Sequence, residues 1–172
     1  MKPQPQHHRP QTQPAEAFAL SCGRARFGEQ TLLFGSCAND IKISGEDTGG
    51  GLSVFQYCGE VQGGPPLHLH EDQDEIYLVQ DGQYLFQVGE TQTLVSPGGV
   101  IFLPRGRPHA FSQVSEKGRM LFMFSPAGDM ERYFRALAQL KGPPSPDEEV
   151  ELFSAHGMRL VGPPIDLRHS AE

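Results

Sequence analysis

From Phe27 to Phe124 the chain breaks into short apolar runs separated by turn residues, and this pattern restricts its fold more than any other feature. The runs are Thr31–Phe34, Ile41–Ser44, Leu52–Cys58, Glu75–Val79, Gln83–Val88, Gln92–Val95, Val100–Leu103, His109–Gln113 and Arg119–Phe124. Between them stand Ala38-Asn-Asp40, Gly45–Gly51, Gly63-Gly-Pro-Pro66, Gln80-Asp-Gly82, Gly89-Glu90, Ser96-Pro-Gly-Gly99 and Pro104-Arg-Gly106. Many short strands at even spacing, punctuated by residues that favour turns, predict an antiparallel sandwich or barrel. No 3.6-residue period interrupts this stretch, so the fold class is all-β.

The flanks read differently. Residues 1–26 form a Pro/Gln-rich arm without apolar periodicity, expected to be flexible. The pair His7–His8 lies on that arm and lacks the pre-orientation a metal site needs. After the barrel, expected over 27–126, Met130, Tyr133, Phe134, Leu137 and Leu140 recur at helical spacing and make one apolar stripe. Asp129 is the expected N-cap, and Gly142-Pro-Pro144 stops the helix. A second helix opens on Ser145-Pro-Asp-Glu148, a capping box with Pro at the first helical position, and should end near Gly157. Gly162-Pro-Pro-Ile165 should be rigid and extended. Residues 127–172 are therefore expected to pack on the barrel as helices and a tail that cap its mouth.

The formal net charge of −7 and the lack of a basic stripe argue against nucleic acid and against an anionic membrane surface. Cys22, Cys37 and Cys58 are odd in number and irregular in spacing, which predicts reduced thiols rather than a disulfide framework. The N-terminus carries no apolar stretch of the signal-peptide kind, and the expectation is a cytoplasmic protein that acts on a small molecule.

The segment Pro66-Leu-His68-Leu-His70-Glu-Asp-Gln-Asp-Glu75 carries the chemistry. On a strand, His68 and His70 project from one face. Glu75 lies at an odd offset from His70, but the polar stretch Glu71–Asp74 can act as a turn that resets the parity. Seven histidines give about 0.3 chance H-x-H pairs in a chain of this length, so the pair alone means little. The second segment, Gly98-x5-Pro104-x-Gly106-x2-His109-x3-Gln113, places another histidine just after a turn, at the start of a strand.

Together the two segments resemble the two signature motifs of the cupin superfamily. The opening glycine is displaced by one, to Gly63, and Gln113 stands where that family often has Asn. The resemblance implies a double-stranded β-helix, or jelly-roll barrel, with His68, His70, Glu75 and His109 converging on one divalent metal ion. Iron, manganese, nickel or cobalt suit such a nitrogen–oxygen set, and zinc can occupy it in purified protein. Ile43-Ser-Gly-Glu-Asp-Thr-Gly-Gly50, Pro104-Arg-Gly-Arg-Pro-His-Ala-Phe111, Phe124-Ser-Pro-Ala-Gly128 and Gly162-Pro-Pro-Ile165 look like the bacterial single-domain cupins described as quercetin dioxygenase-like. That narrower resemblance implies a metal-dependent dioxygenase acting on an enolic or phenolic, flavonol-like small molecule, with Glu75 as both ligand and base. Strand parity adds Tyr77, Phe86, Phe102, Phe111, Gln113 and Phe122 as candidate substrate contacts. A non-catalytic binding cupin and a sugar isomerase or epimerase are the alternatives, the latter disfavoured because lysines are scarce. Exposed sheet edges, such as Thr31–Phe34 or Ile41–Ser44, suggest a homodimer.

Overall fold

The alternation of apolar and polar residues resolves into eleven strands and two helices in a computed structural model that describes residues 16–33 and 35–167. In chain order these are β1 (Leu32–Leu33), β2 (Cys37–Ile43), β3 (Ser53–Gly59), β4 (Pro66–His70), β5 (Asp74–Asp81), β6 (Tyr84–Val88), β7 (Thr91–Val95), β8 (Val100–Leu103), β9 (His109–Gln113), β10 (Gly118–Ser125), α1 (Met130–Gln139), α2 (Pro146–Ala155) and β11 (Met158–Pro164). All strand pairs are antiparallel. A six-stranded sheet runs β1-β2-β3-β10-β5-β8 and a five-stranded sheet runs β11-β4-β9-β6-β7, so the predicted all-β barrel with C-terminal helices is what forms.

Register aligns the inward residues of the six-stranded sheet in three rows. Asn39, Tyr57, Met120 and Val79 make the first; Ile41, Phe55, Phe122, Tyr77 and Ile101 the second; Ser53, Phe124, Glu75 and Leu103 the third. The core grows from the second row. Phe55 stacks on Phe122 at 5.2 Å between ring centroids, and Phe124 and Phe134 meet Phe55 edge-on at 5.9 and 5.0 Å. Such pairs contribute about 0.5–1.5 kcal/mol each beyond the area they bury.

Several boundaries differ from the sequence-based expectation. Ala38-Asn-Asp40, expected as a turn, lies inside β2, where pairing with β3 overrides the low strand propensity of Asn and Asp. Gly162-Pro-Pro164 belongs to β11, an edge strand against β4 whose register shifts at Leu160/Gly162 and Gly162/Pro164. Proline is tolerated there because an edge strand has one unpaired side. Of the N-terminal arm, residues 1–15, with His7–His8, lie outside the described residues. Residues 16–24 are mostly exposed, and Arg26 ties the segment to the barrel: it grips Asp47 through two guanidinium nitrogens, and its backbone N–H donates to the Ile41 carbonyl.

The capping box of α2 is present on both sides, with Glu148 N–H donating to Ser145 Oγ and Ser145 N–H donating to Glu148. Asp129 precedes α1 but makes no side-chain cap; its carboxylate instead meets His156 Nδ1 at 2.6 Å, tying the start of α1 to the end of α2. The three cysteines are free thiols. No helix among the described residues is long and apolar enough to cross a membrane.

Candidate metal centre and its cavity

Two sheets contribute to one cluster. β4 brings His68 and His70, β9 brings His109 directly opposite His68, and β5 brings Glu75 from the facing sheet. The chain crosses between sheets through Glu71–Gln73, the interruption that resets parity and turns Glu75 inward. All four side chains are buried, and one ligand atom from each lies within 4.8 Å of the others. Glu75 Oε2 is 3.1 Å from His109 Nε2 and 3.6 Å from His70 Nε2.

Local bonds aim these groups. His68 Nδ1–H donates to the Pro66 carbonyl at 2.8 Å and His109 Nδ1–H to the Arg107 carbonyl at 2.9 Å, which leaves each Nε2 lone pair facing the cluster. Tyr77 Oη–H donates to Glu75 Oε1 at 2.7 Å and leaves Oε2 for the centre. His70 Nε2, His109 Nε2 and Glu75 Oε2 are buried with no hydrogen-bond partner among the described residues. Orphaned buried acceptors are costly, and a shared cation satisfies all three at once. The residues present therefore fit a divalent ion, with His68, His70, Glu75 and His109 as its donors.

Electrostatics agree. Burial, reinforced by the neighbouring imidazoles, pushes His68 down to about 3 and lowers His70 as well, so both rings are neutral donors near pH 7. Burial opposes the Glu75 carboxylate, but the close contact with His109 and the other two imidazoles outweighs it and holds this carboxyl below its ordinary range. Burial and Glu75 raise Tyr77 far above the usual phenol value, keeping it a donor.

The cluster opens into a cavity of about 280 Å³ between the sheets and the two helices. His68, His70 and Glu75 line it, together with Tyr57, Phe111, Phe122, Phe124, Phe134 and Phe153. Phe153 of α2 meets the His68 ring edge-on at 5.3 Å, so the C-terminal helices form part of the wall.

The expected substrate contacts divide. Tyr77, Phe111 and Phe122 line the cavity. Phe86 is fully buried but stands behind that wall, packed on Tyr77 and Phe111 at 5.1 and 5.9 Å. Phe102 is 55% exposed: β5 pairs it with outward-facing Ile76, and Ile101 and Leu103 take the inward positions opposite Tyr77 and Glu75. Gln113 is buried but its amide is spent on the carbonyls of Gly59, Ser115 and Glu116, and its oxygen accepts from Tyr84 Oη. A Cβ at Gly59 would collide with that Gln113 oxygen, so this is a structural clasp between β3 and β9. Sequence reasoning missed Tyr57, Phe153 and Asn39 as lining residues. Tyr57 shares strand parity with Phe55, which is the signal that would have found it.

A two-sheet barrel that gathers three imidazoles and a carboxylate from β4, β9 and β5 defines the class as cupin-like. The family model described as a cupin domain matches residues 58–125, which supports the resemblance of this chain to the cupin superfamily. An uncharacterized protein of Streptomyces coelicolor, SCO3923, is 43% identical over 54 residues, 31% of this chain and 51% of that protein. Quercetin 2,3-dioxygenase of Bacillus subtilis is 26% identical over 130 residues, 73% of this chain and 38% of that protein. The chain thus spans about half the length of the first relative and less of the second. Among solved structures, KdgF from Halomonas sp. superposes with a TM-score of 0.50 at 19% identity, covering 55% of this chain and 84% of that one. A Thermotoga maritima protein described as a predicted oxalate decarboxylase gives 0.50 at 18% identity, covering 52% and 80%. At such identities these likenesses show the fold alone.

Proposed function

We propose that this cupin-like protein binds one divalent metal ion through His68, His70, Glu75 and His109 and uses it as a dioxygenase on an enolic or phenolic small molecule. The observation that carries the reading is a donor set with unsatisfied atoms at the buried end of an aromatic-walled cavity. A divalent ion held there would supply Lewis acidity and open coordination positions. The protein's own groups do the rest. Tyr77, Phe111 and Phe122 hold a flat ring and exclude water, which strengthens every electrostatic contact inside. Glu75 is ionised and accepts the substrate hydroxyl proton at Oε2, while Tyr77 holds Oε1 in place.

The partial similarity to a quercetin 2,3-dioxygenase supports this choice of chemistry. No lysine lines the cavity among the described residues, which leaves a sugar isomerase only the tyrosines and Glu149 of the wall as further bases. A homodimer is part of the same proposal, formed through β1, the short edge of the six-stranded sheet; a monomer by light scattering would refute it.

The test is oxygen uptake by protein stripped of metal and refilled separately with iron, manganese, nickel, cobalt or zinc, then offered flavonols and simpler enols. Uptake that depends on one metal and vanishes in His109→Ala establishes the oxygenase. A stoichiometrically filled site with no uptake under any metal rejects it.

A further inference from the structure

Two deeply buried polar spots line the cavity, whereas Gln62 and Glu149, which also line it, are exposed or half-buried. The first is the metal cluster in the third row of the six-stranded sheet. The second is Asn39 in the first row, four residues away along the strand direction by register with Val79, or roughly 13 Å. Asn39 shares its strand face with Cys37, lines the cavity and is 1% exposed. Its amide nitrogen and its amide oxygen both lack a hydrogen-bond partner among the described residues. Asp40, Ser53 and Ser112 also carry unpartnered buried oxygens, but none of them lines the cavity. Between the two polar spots stand Met120, Phe122 and the rings of Tyr57 and Tyr77.

A buried amide costs free energy when neither end is satisfied, and a leucine of similar size would fill the same space without that cost. We infer that Asn39 is a specificity-determining residue that binds the end of the ligand remote from the metal. An amide offers one acceptor and two donors, so it recognises a hydroxyl or another amide. With aromatic rings in between and no lysine or arginine lining the cavity among the described residues, the ligand is a flat aromatic compound without an anionic group at its far end. It carries a metal-seeking oxygen at one end and a hydroxyl or amide at the other. The inference deepens the reading proposed above and rests on it for the orientation of the ligand.

The experiment compares two probes on metal-loaded protein by titration calorimetry: 3-hydroxyflavone, and the same compound with a second hydroxyl at the far para position of its pendant ring. Wild type should bind the dihydroxy compound at least about tenfold more tightly, the worth of one good hydrogen bond. Asn39→Leu should lose that preference while binding 3-hydroxyflavone unchanged, with a melting temperature no lower than wild type. Asn39→Ala provides the same comparison if the leucine variant does not fold. Equal affinity of the two probes for wild type overturns the inference, as does a preference that survives both substitutions. Binding of neither probe overturns it too, whereas the oxygenase reading is judged separately by oxygen uptake. A preference that Asn39→Leu abolishes in protein showing no uptake upholds the Asn39 subsite and rejects the oxygenase.

Discussion

Asp74 and Glu75 are neighbours in the chain and stand on opposite sides of the barrel wall. Asp74 faces outward, where Arg105 grips both its carboxylate oxygens, at 3.1 Å through Nε and 2.9 Å through Nη2. Glu75 faces inward, where only imidazoles and a phenol approach it. The outer carboxylate is matched by a permanent cation in contact with water. The inner one has no permanent cation beside it, and its Oε2 is left without a hydrogen-bond partner among the described residues. One step along a strand separates an ordinary surface pair from the candidate metal centre, because successive side chains in a strand alternate faces.

The largest effect should separate these two directly. Glu75→Gln should weaken metal binding roughly 100-fold or more, exceeding the loss usual for a supporting residue, whereas Asp74→Asn should leave affinity unchanged in a chelator competition. Equal losses in the two variants would break the contrast. Next, Tyr77→Phe removes the donor to Glu75 Oε1. Metal affinity should fall by about tenfold, and urea unfolding of the metal-free protein should show a loss of about 1.5–3 kcal/mol for a buried bond to a charged group.

A pH titration sharpens the comparison further. His68 and His70 have folded values pushed below the ordinary 6.5, with His68 at about 3, so the unfolded chain takes up their protons first. Their contribution to stability is complete above about pH 6.5 and is lost as pH falls towards 3. Metal-free protein should therefore melt progressively lower across that window, and His68→Asn should flatten the slope. The smallest effect belongs to the outer pair. Hydrogen bonds from Arg105 lower Asp74 from 3.8 to about 2, so its stabilisation is present above pH 3.8 and disappears as pH falls towards 2. Arg105→Ala should remove that acid dependence and change the melting temperature near pH 7 very little, less still in high salt.

The candidate metal ligands were legible because two segments together resemble the cupin motifs: two histidines at i and i+2, a polar break and Glu75 in one, His109 after a turn in the other. The barrel itself was legible from alternation. What failed were the places where pairing decides. Strand parity counted along the sequence turns Phe102 inward, but β8 takes its facing from β5, and nothing local to Val100–Leu103 reveals that register. Ala38-Asn-Asp40 looks like a turn by composition and becomes strand only because β3 pairs with it. That mistake concealed Asn39. The helical wall was half visible, since the α1 stripe included Phe134 while nothing marked Phe153 as a neighbour of His68.

β11 comes last in chain order among the described strands, yet it pairs with the strand that bears two candidate ligands, Met158 opposite His70 and Leu160 opposite His68. During synthesis the histidines of β4 emerge long before the strand that flanks them. The sheet edge they sit on stays open until the ribosome has passed Pro164, so the centre is completed by a contact between residues distant in the chain, the slow kind to form. Capture of a metal by the proposed centre would then fall late in biosynthesis rather than during its course. Chains released after Ala155 should hold metal far more weakly than the full chain; equal retention would show that β4 is ordered without its late partner.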